Sequence, residues 1–335
     1  MTSNRRKALA CLVTTTALAC PGFAANAQGQ SFVARFGGYL SDQDPTNVAA
    51  RRMAELVDKA SGGRLKITVF TDGKLGNERE VTEALRTGGA ELVATLGTGL
   101  AQYVPEVGVL ELPFTSRNDA CAVQSFLDVM PEVEKLSVPK GFRPLTAWGI
   151  GERGLLTRRP VRSLDDLRGM KMRGPAPLYL GTLRALGANP VQMPWSEIYV
   201  GLDTGSIDGM EASPQMIYPS RFQETAKFFT VTRHINPGYY LLVSERFWQR
   251  LPADLQPILR ESAETAFSEL RKQGAVIWQQ NLDRMKAAGV EVINLKDLGR
   301  WEKSVEGFRT EYAQKLGPAA ESLAQRARQS LAACK

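Results

Sequence analysis

Histidine is almost missing from this chain: 335 residues contain one, His234. A lone imidazole cannot build the His-rich clusters that zinc sites usually use, and it leaves a single side chain of that kind for general-base work. There is no CxxC pair, no GxxxxGKS/T, no GxSxG and no HExxH. Dithiol redox, phosphate-loop, nucleophile-elbow and zincin chemistry therefore have no basis in the sequence, and neither a cofactor nor a metal is expected. Apolar runs are short: Ala8 to Ala19 is interrupted by threonines and falls below the roughly 20 residues that span a bilayer. Charge of one sign is not concentrated either. The formal net charge of +7 spreads basic residues among acids, with no basic block or interleaved aromatics of the kind that bind nucleic acid. Internal repeats and low-complexity linkers are also absent.

What is present begins with a targeting segment. Arg5-Arg6-Lys7, the run Ala8 to Ala19 and the small-residue site Ala25-Asn26-Ala27 describe a secretory signal peptide over residues 1–27, which places the mature chain in the periplasm from about Gln28. A lipoprotein signal ending at Cys20 is the competing reading. Against it, Ala17-Leu18-Ala19-Cys20 lacks the usual leucine three places before the cysteine, and Pro21 follows. Cleavage leaves 308 residues with a net charge of +4, because Arg5, Arg6 and Lys7 leave and no acid does. That length suits two domains with cores of their own. Cys11 and Cys20 leave as well. Cys121 and Cys334 then either form one disulfide in an oxidising compartment or stay as two isolated thiols.

Along the mature chain the pattern is α/β. Strands are expected at Ser31–Gly37, Leu65–Val69, Glu91–Leu96, Val109–Leu112, Leu145–Trp148, Leu155–Thr157, Met170–Arg173, Val191–Met193 and Tyr239–Ser244. Helices are expected at Pro45–Ala60, Asn77–Arg86, Pro177–Leu186 and Trp195–Thr204. The alternation argues for parallel sheets covered by helices. Pro252 to about Ala288 reads as one long helix, with Leu259, Ala263, Ala266, Leu270 and Ile277 facing inward and Gly274 as a place to bend. At that length it is a strut across two domains. Leu298–Ala333 is again helical. With no flexible tether, two domains must be joined by short hinge strands.

One motif tempts. Gly149-Ile150-Gly151-Glu152-Arg153-Gly154 matches GxGxxG after an apolar strand. A dinucleotide loop has to open a helix, however, and here Leu155-Leu156-Thr157 reads as strand and Pro160 blocks continuation. The acid expected about 20 residues on is replaced by the basic surroundings of Arg173. Asp165 and Asp166 follow Ser163 and read as helix-capping acids. The informative residues are the arginines themselves. Arg153 and Arg173 sit in glycine-flanked segments, and a guanidinium is a permanent cation whose planar fork matches a carboxylate, so the pair points to an organic anion.

With these arginines the chain resembles the periplasmic substrate-binding proteins of tripartite ATP-independent periplasmic (TRAP) transporters, of the dicarboxylate-binding type. The resemblance runs through Leu75-Gly76-Asn77-Glu78-Arg79-Glu80, Leu112-Pro113-Phe114, Gly151-Glu152-Arg153, Asp166 to Arg173, Gly187-Ala188-Asn189-Pro190, Pro194-Trp195-Ser196-Glu197-Ile198-Tyr199, Gly205 to Glu211 and Phe247-Trp248, covering essentially the whole mature chain. It implies a two-domain clamshell with a hinge: domain I from 28–150 plus 238–277, domain II from 151–237 plus 278–335, and a long helix spanning both. It implies a monomer without enzymatic activity that captures a small organic acid and delivers it to a TRAP membrane permease. An ABC-type binding protein or a periplasmic enzyme acting on such an acid are the alternatives. Arg173 corresponds to the family arginine that pairs with the ligand carboxylate, and Arg153 to a second arginine in the same cleft. Trp195 and Tyr199, four apart at a helix start, either face the cleft or pack inward. Thr95–Gly99 either offers backbone N–H groups or is a tight turn. Glu211, Asn236 and Tyr239 complete the wall. Many family members have asparagine after the equivalent of Glu211, where this chain has Ala212 and Ser213. That departure leaves the identity of the acid open.

Overall fold

The computed structural model describes residues 31–116 and 119–334. The signal-peptide reading of residues 1–27, with Cys11 and Cys20, lies outside the described residues. Eleven strands carry the described chain: β1 Phe32–Gly37, β2 Leu65–Phe70, β3 Leu92–Leu96, β4 Phe142–Gly149, β5 Gly154–Thr157, β6 Lys171–Gly174, β7 Asn189–Gln192, β8 Gly209–Ala212, β9 Phe228–Val231, β10 Gly238–Ser244 and β11 Glu291–Asn294. The helices among them are α1 Pro45–Ala60, α2 Glu78–Thr87, the single turn α3 Gly97–Leu100, α4 Asp119–Asp128, α5 Met130–Ser137, α6 Pro177–Ala185, α7 Ile198–Thr204, α8 Pro214–Ile217, α9 Glu245–Arg250, α10 Leu255–Ala287, α11 Leu298–Leu316 and α12 Pro318–Ala333.

Two sheets divide these strands. One has the order β2-β1-β3-β10-β4 and the other β11-β9-β5-β8-β6-β7, each with helices packed on it, so the molecule is a two-lobed α/β protein. The expectation of parallel sheets needs correction, because β10 is antiparallel to β3 and β4, and β5 is antiparallel to β8 and β9. The reason lies in the connections. The chain leaves the first sheet from β4, enters the second through β5, and comes back from β9 into β10, so strands joined by short crossings run against their neighbours.

Local chemistry explains the boundaries. Asp44 caps α1, accepting from Thr46 N at 2.8 Å, with Pro45 at the first helical position. Asn77 and Glu80 form a reciprocal capping box at the start of α2. Ser163 and Asp166 do the same for a 3-10 turn at Leu164–Leu167, the capping role read for Asp166, whereas Asp165 pairs with Arg168 and Arg300 on the surface. The long helix is unbroken at Gly274. Its inward face changes along its length. Leu259, Ala263, Ala266 and Phe267 are buried beside α1 and β4, whereas Leu270 and Ile277 are only half-buried where the helix passes behind the crossings. Leu282 and Met285 are buried again towards the second sheet.

Two expectations fail here. Val109–Leu112 is not a strand: Pro105–Glu111 is a 3-10 helix starting on its proline, and its apolar run is buried without pairing in a sheet. A short buried apolar run does not reveal its own period. The C-terminal segment also departs from the expected division. Gly317 and Pro318 break it into α11 and α12, and α12 packs on α4 and on the 3-10 helix, elements belonging to the first lobe. Ala320, Leu323, Ala324 and Ala327 supply the buried stripe, and Cys334 is bonded to Cys121 on α4 with Cα atoms 5.7 Å apart.

Candidate functional site

Register brings the sequence-predicted residues together. Tyr239 of β10 lies opposite Leu96, the last residue of β3, and Gly154 of β5 lies opposite Ala212, the last of β8. The carboxyl ends of β3 and β8 therefore meet the two crossings, 149–154 and 231–238. The crossings are tied to each other, since Arg153 N donates to Ile235 O at 3.0 Å. Strand ends next to a topological switch are where open α/β folds bind small molecules. Thr95, Arg153, Arg173, Glu211, Asn236 and Tyr239 all stand at such ends.

The two arginines turn out to be unequal. Arg153 is fully buried and its fork is spent: Nε and Nη2 bond both carboxylate oxygens of Glu211, and Nη2 also donates to Glu211 O at 2.7 Å. Its guanidinium lies 4.9 Å from the Tyr179 ring centroid, with Met216 Sδ 3.8 Å from Nη1. Burial works against the charge on both partners and raises the Glu211 carboxyl above its ordinary range, while the attraction of Arg153 and the charge-assisted hydrogen bonds between them oppose that rise. The expected ligand arginine is thus already neutralised by Glu211, which serves as its counterion.

Arg173 is different. It sits on β6, 3% exposed, and among the described residues its guanidinium forms no ion pair. Nε donates to Met193 O at 2.9 Å, and among the described residues no acceptor is bonded to Nη1 or Nη2. The Trp195 ring faces it with the guanidinium carbon 5.6 Å from its centroid. Burial, together with the nearby Arg153 charge, outweighs the attraction of Glu211 and Glu78 and pulls its pKa down to about 10. It remains a cation at neutral pH, buried and short of an anion.

The other residues fall out as follows. Tyr239 is fully buried, and its hydroxyl bonds that of Tyr39, a residue not singled out from the sequence although it follows Gly37-Gly38 directly. Asn236 donates to Ser116 O at 2.8 Å, and its Oδ1 has no partner. Thr95 donates to Glu78 Oε1 at 2.9 Å, and that oxygen also takes Leu96 N at 3.0 Å, so the N–H group there is consumed. A Cβ on Gly99 would lie 2.0 Å from Thr95 Oγ1, and one on Gly97 would lie 2.4 Å from Glu111 Oε1, so the glycines let a hydroxyl and a carboxylate approach the backbone. Trp195 is half-buried, with Nε1 donating to Ser220 at 3.3 Å and its ring on Phe222. Tyr199 is not brought to this place. Its side chain is on the surface, 36% exposed, and its hydroxyl donates to Glu224, because its position on α7 turns it away from the buried Ile198 side.

His234 is buried, with Nδ1 bonded to Thr232, and burial beside Arg153 pushes its imidazole down to about 3. Glu111, also buried, accepts from Tyr179 at 2.8 Å, and burial pushes its carboxyl up to about 7. A carboxyl raised in the folded state contributes stability that is complete below its unfolded value and disappears as pH rises through the folded one. Thermal midpoints of the wild type and Glu111→Gln, measured from pH 5 to pH 8, should therefore diverge, with the wild type losing more stability over that range.

A two-lobed α/β molecule with a buried, unneutralised cation at its strand ends is built as a receptor for a small anion. Residues 36–315 match the family described as bacterial extracellular solute-binding protein, family 7. The chain is 32% identical over 269 residues to the 2,3-diketo-L-gulonate-binding periplasmic protein YiaO of Escherichia coli, covering 79% of this chain and 81% of that one. It is 28% identical to the C4-dicarboxylate-binding periplasmic protein DctP of Rhodobacter capsulatus, over 95% and 97% of the two chains. Among solved structures it is similar to the sugar acid binding protein DctPAm of Advenella mimigardefordensis in complex with galactonate, with a TM-score of 0.85 at 26% identity over 90% of this chain and 99% of that one. A TRAP periplasmic solute binding protein of Bradyrhizobium sp. in complex with galacturonate gives a TM-score of 0.84 at 29% identity, over 90% and 100%. The chain belongs to family 7 of the bacterial extracellular solute-binding proteins. It is a solute receptor of the TRAP type for small organic acids.

Proposed function

We propose that this receptor binds a hydroxylated monocarboxylate of the sugar-acid class, with the ligand carboxylate on Arg173. The observation that carries the reading is the inequality of the arginines. One fork is already occupied by Glu211, and one lacks an anion, so the site has room for a single negative charge. A second ligand carboxylate would have to be placed near Glu78 and the Tyr39–Tyr239 hydroxyl pair, which suit hydroxyl groups better than an anion. Two structural relatives with bound galactonate and galacturonate agree with that class.

The lobes act as jaws: 28–150 with 238–277 on one side, and 151–237 with the chain from 278 on the other, α12 returning to the first. The ligand closes them by binding the closed form better, and the closed form is what a TRAP permease receives. Export through residues 1–27 brings the monomer to the periplasm. Calorimetric titration with D-galactonate, D-galacturonate, D-glucuronate, succinate and malate tests the assignment. At least one sugar acid should bind roughly tenfold or more tightly than either dicarboxylate, consistent with about 1.4 kcal/mol or more of discrimination. Tighter binding of succinate or malate would contradict it.

A further inference from the structure

Three buried polar groups near the first crossing serve neither arginine. Trp148 Nε1 is fully buried and has no hydrogen-bond partner, and Gln215 Oε1, on a residue only 4% exposed, has none either. Asp44, also 4% exposed, uses Oδ1 on Thr46 N as a helix cap. All three residues line one small cavity with Leu40, Thr46 and Met216, and its volume of about 10 Å³ is close to that of a single water-sized group. An orphaned indole N–H and an orphaned amide oxygen deep in a core each carry a desolvation cost unless something fills the space between them.

The chemistry of the lining selects the occupant. An indole N–H only donates, while an amide oxygen and a carboxylate only accept. One hydroxyl oxygen satisfies the two orphans, because it accepts from Trp148 and donates its proton to Gln215, with Asp44, already bonded to Thr46 N, as the alternative acceptor. A methyl group would leave both orphans, the indole N–H and the amide oxygen, unsatisfied. A carboxylate would bring no proton to two acceptors, and an ammonium would meet the indole hydrogen head-on. Two lining residues touch residues of the receptor site. The Trp148 ring packs on Tyr239 with centroids 5.6 Å apart, Leu40 follows Tyr39, and Met216 carries the sulfur that touches Arg153.

We propose that this cavity is a hydroxyl subsite, occupied by a hydroxyl group of the bound acid at the end remote from its carboxylate. The proposal rests on the sugar-acid reading and sharpens it, since it selects among acids with the same charge. The probes are D-galactonate and 6-deoxy-D-galactonate, titrated calorimetrically into the wild type, Gln215→Leu and Asp44→Asn, where asparagine keeps the helix cap. The wild type should bind the deoxy acid about 10- to 100-fold more weakly, as a site built to hydrogen-bond a hydroxyl rejects the analogue lacking it. The gap should shrink to less than about threefold in Gln215→Leu and narrow in Asp44→Asn, a coupling that a purely structural role would not produce. Equal affinities on the wild type, or a gap unchanged in both variants, overturn the subsite alone. A wild type that binds neither acid while binding a dicarboxylate overturns the sugar-acid reading and the subsite with it.

Discussion

Arg173→Met should lose ligand affinity by roughly 30- to 5,000-fold and, in the same protein, raise the thermal midpoint of the ligand-free form. The first effect follows from removing one partner of a desolvated, hydrogen-bonded charge pair, which costs about 2–5 kcal/mol. The second follows from the free protein, where a guanidinium on a 3% exposed residue forms no ion pair and is held at a pKa of about 10. A base depressed by burial costs stability at every pH below its folded value, here up to about 3 kcal/mol. Methionine has comparable length and no charge, so it relieves that cost while filling the space. Calorimetry with the best-binding acid and scanning calorimetry without it read the two effects separately. A variant that keeps its affinity, or that melts earlier without ligand, contradicts the role given to this residue.

The neighbouring arginine should behave in the opposite sense. Glu211→Gln is expected to destabilise the protein by about 3–5 kcal/mol, because it leaves the fully buried Arg153 with no counterion. The loss should register in urea denaturation as a lower midpoint with little change in slope. Arg153 also anchors both crossings through its backbone N–H to Ile235 O and stacks against Tyr179, so the same variant should weaken ligand binding indirectly. If Glu211→Gln proves neutral in stability, the ion pair is not the element that holds the crossings together. The two substitutions thus separate a residue that organises the site from one that waits for the ligand.

Much of this arrangement is legible along the chain, and the exceptions have physical causes. Met170–Arg173 reads as a strand and the structure has β6 at Lys171–Gly174, and the segment after the failed GxGxxG loop, read as strand at Leu155–Thr157, lies within β5. What could not be read was which arginine is neutralised. That depends on β5 pairing with β8 so that Leu155 stands opposite Glu211, a register between segments more than 50 residues apart. Spacing left open which of Trp195 and Tyr199 faces the cleft and which packs inward, and the turn from a 3-10 segment at Trp195–Glu197 into α7 changes the phase and puts Tyr199 on the surface. Val109–Leu112 looked like a strand because buried runs hide their period. Glu78 lies within a recognisable segment and Tyr39 just beyond the first strand, yet their convergence on Thr95 and Tyr239 is purely tertiary.

A crystal structure of the complex with the tightest-binding acid tests the central claim most directly. It should show the ligand carboxylate within about 3 Å of Arg173 Nη1 and Nη2, with the Arg153–Glu211 pair intact beside it. A ligand whose carboxylate displaces Glu211 from Arg153, or which leaves the Arg173 fork untouched, would contradict the account.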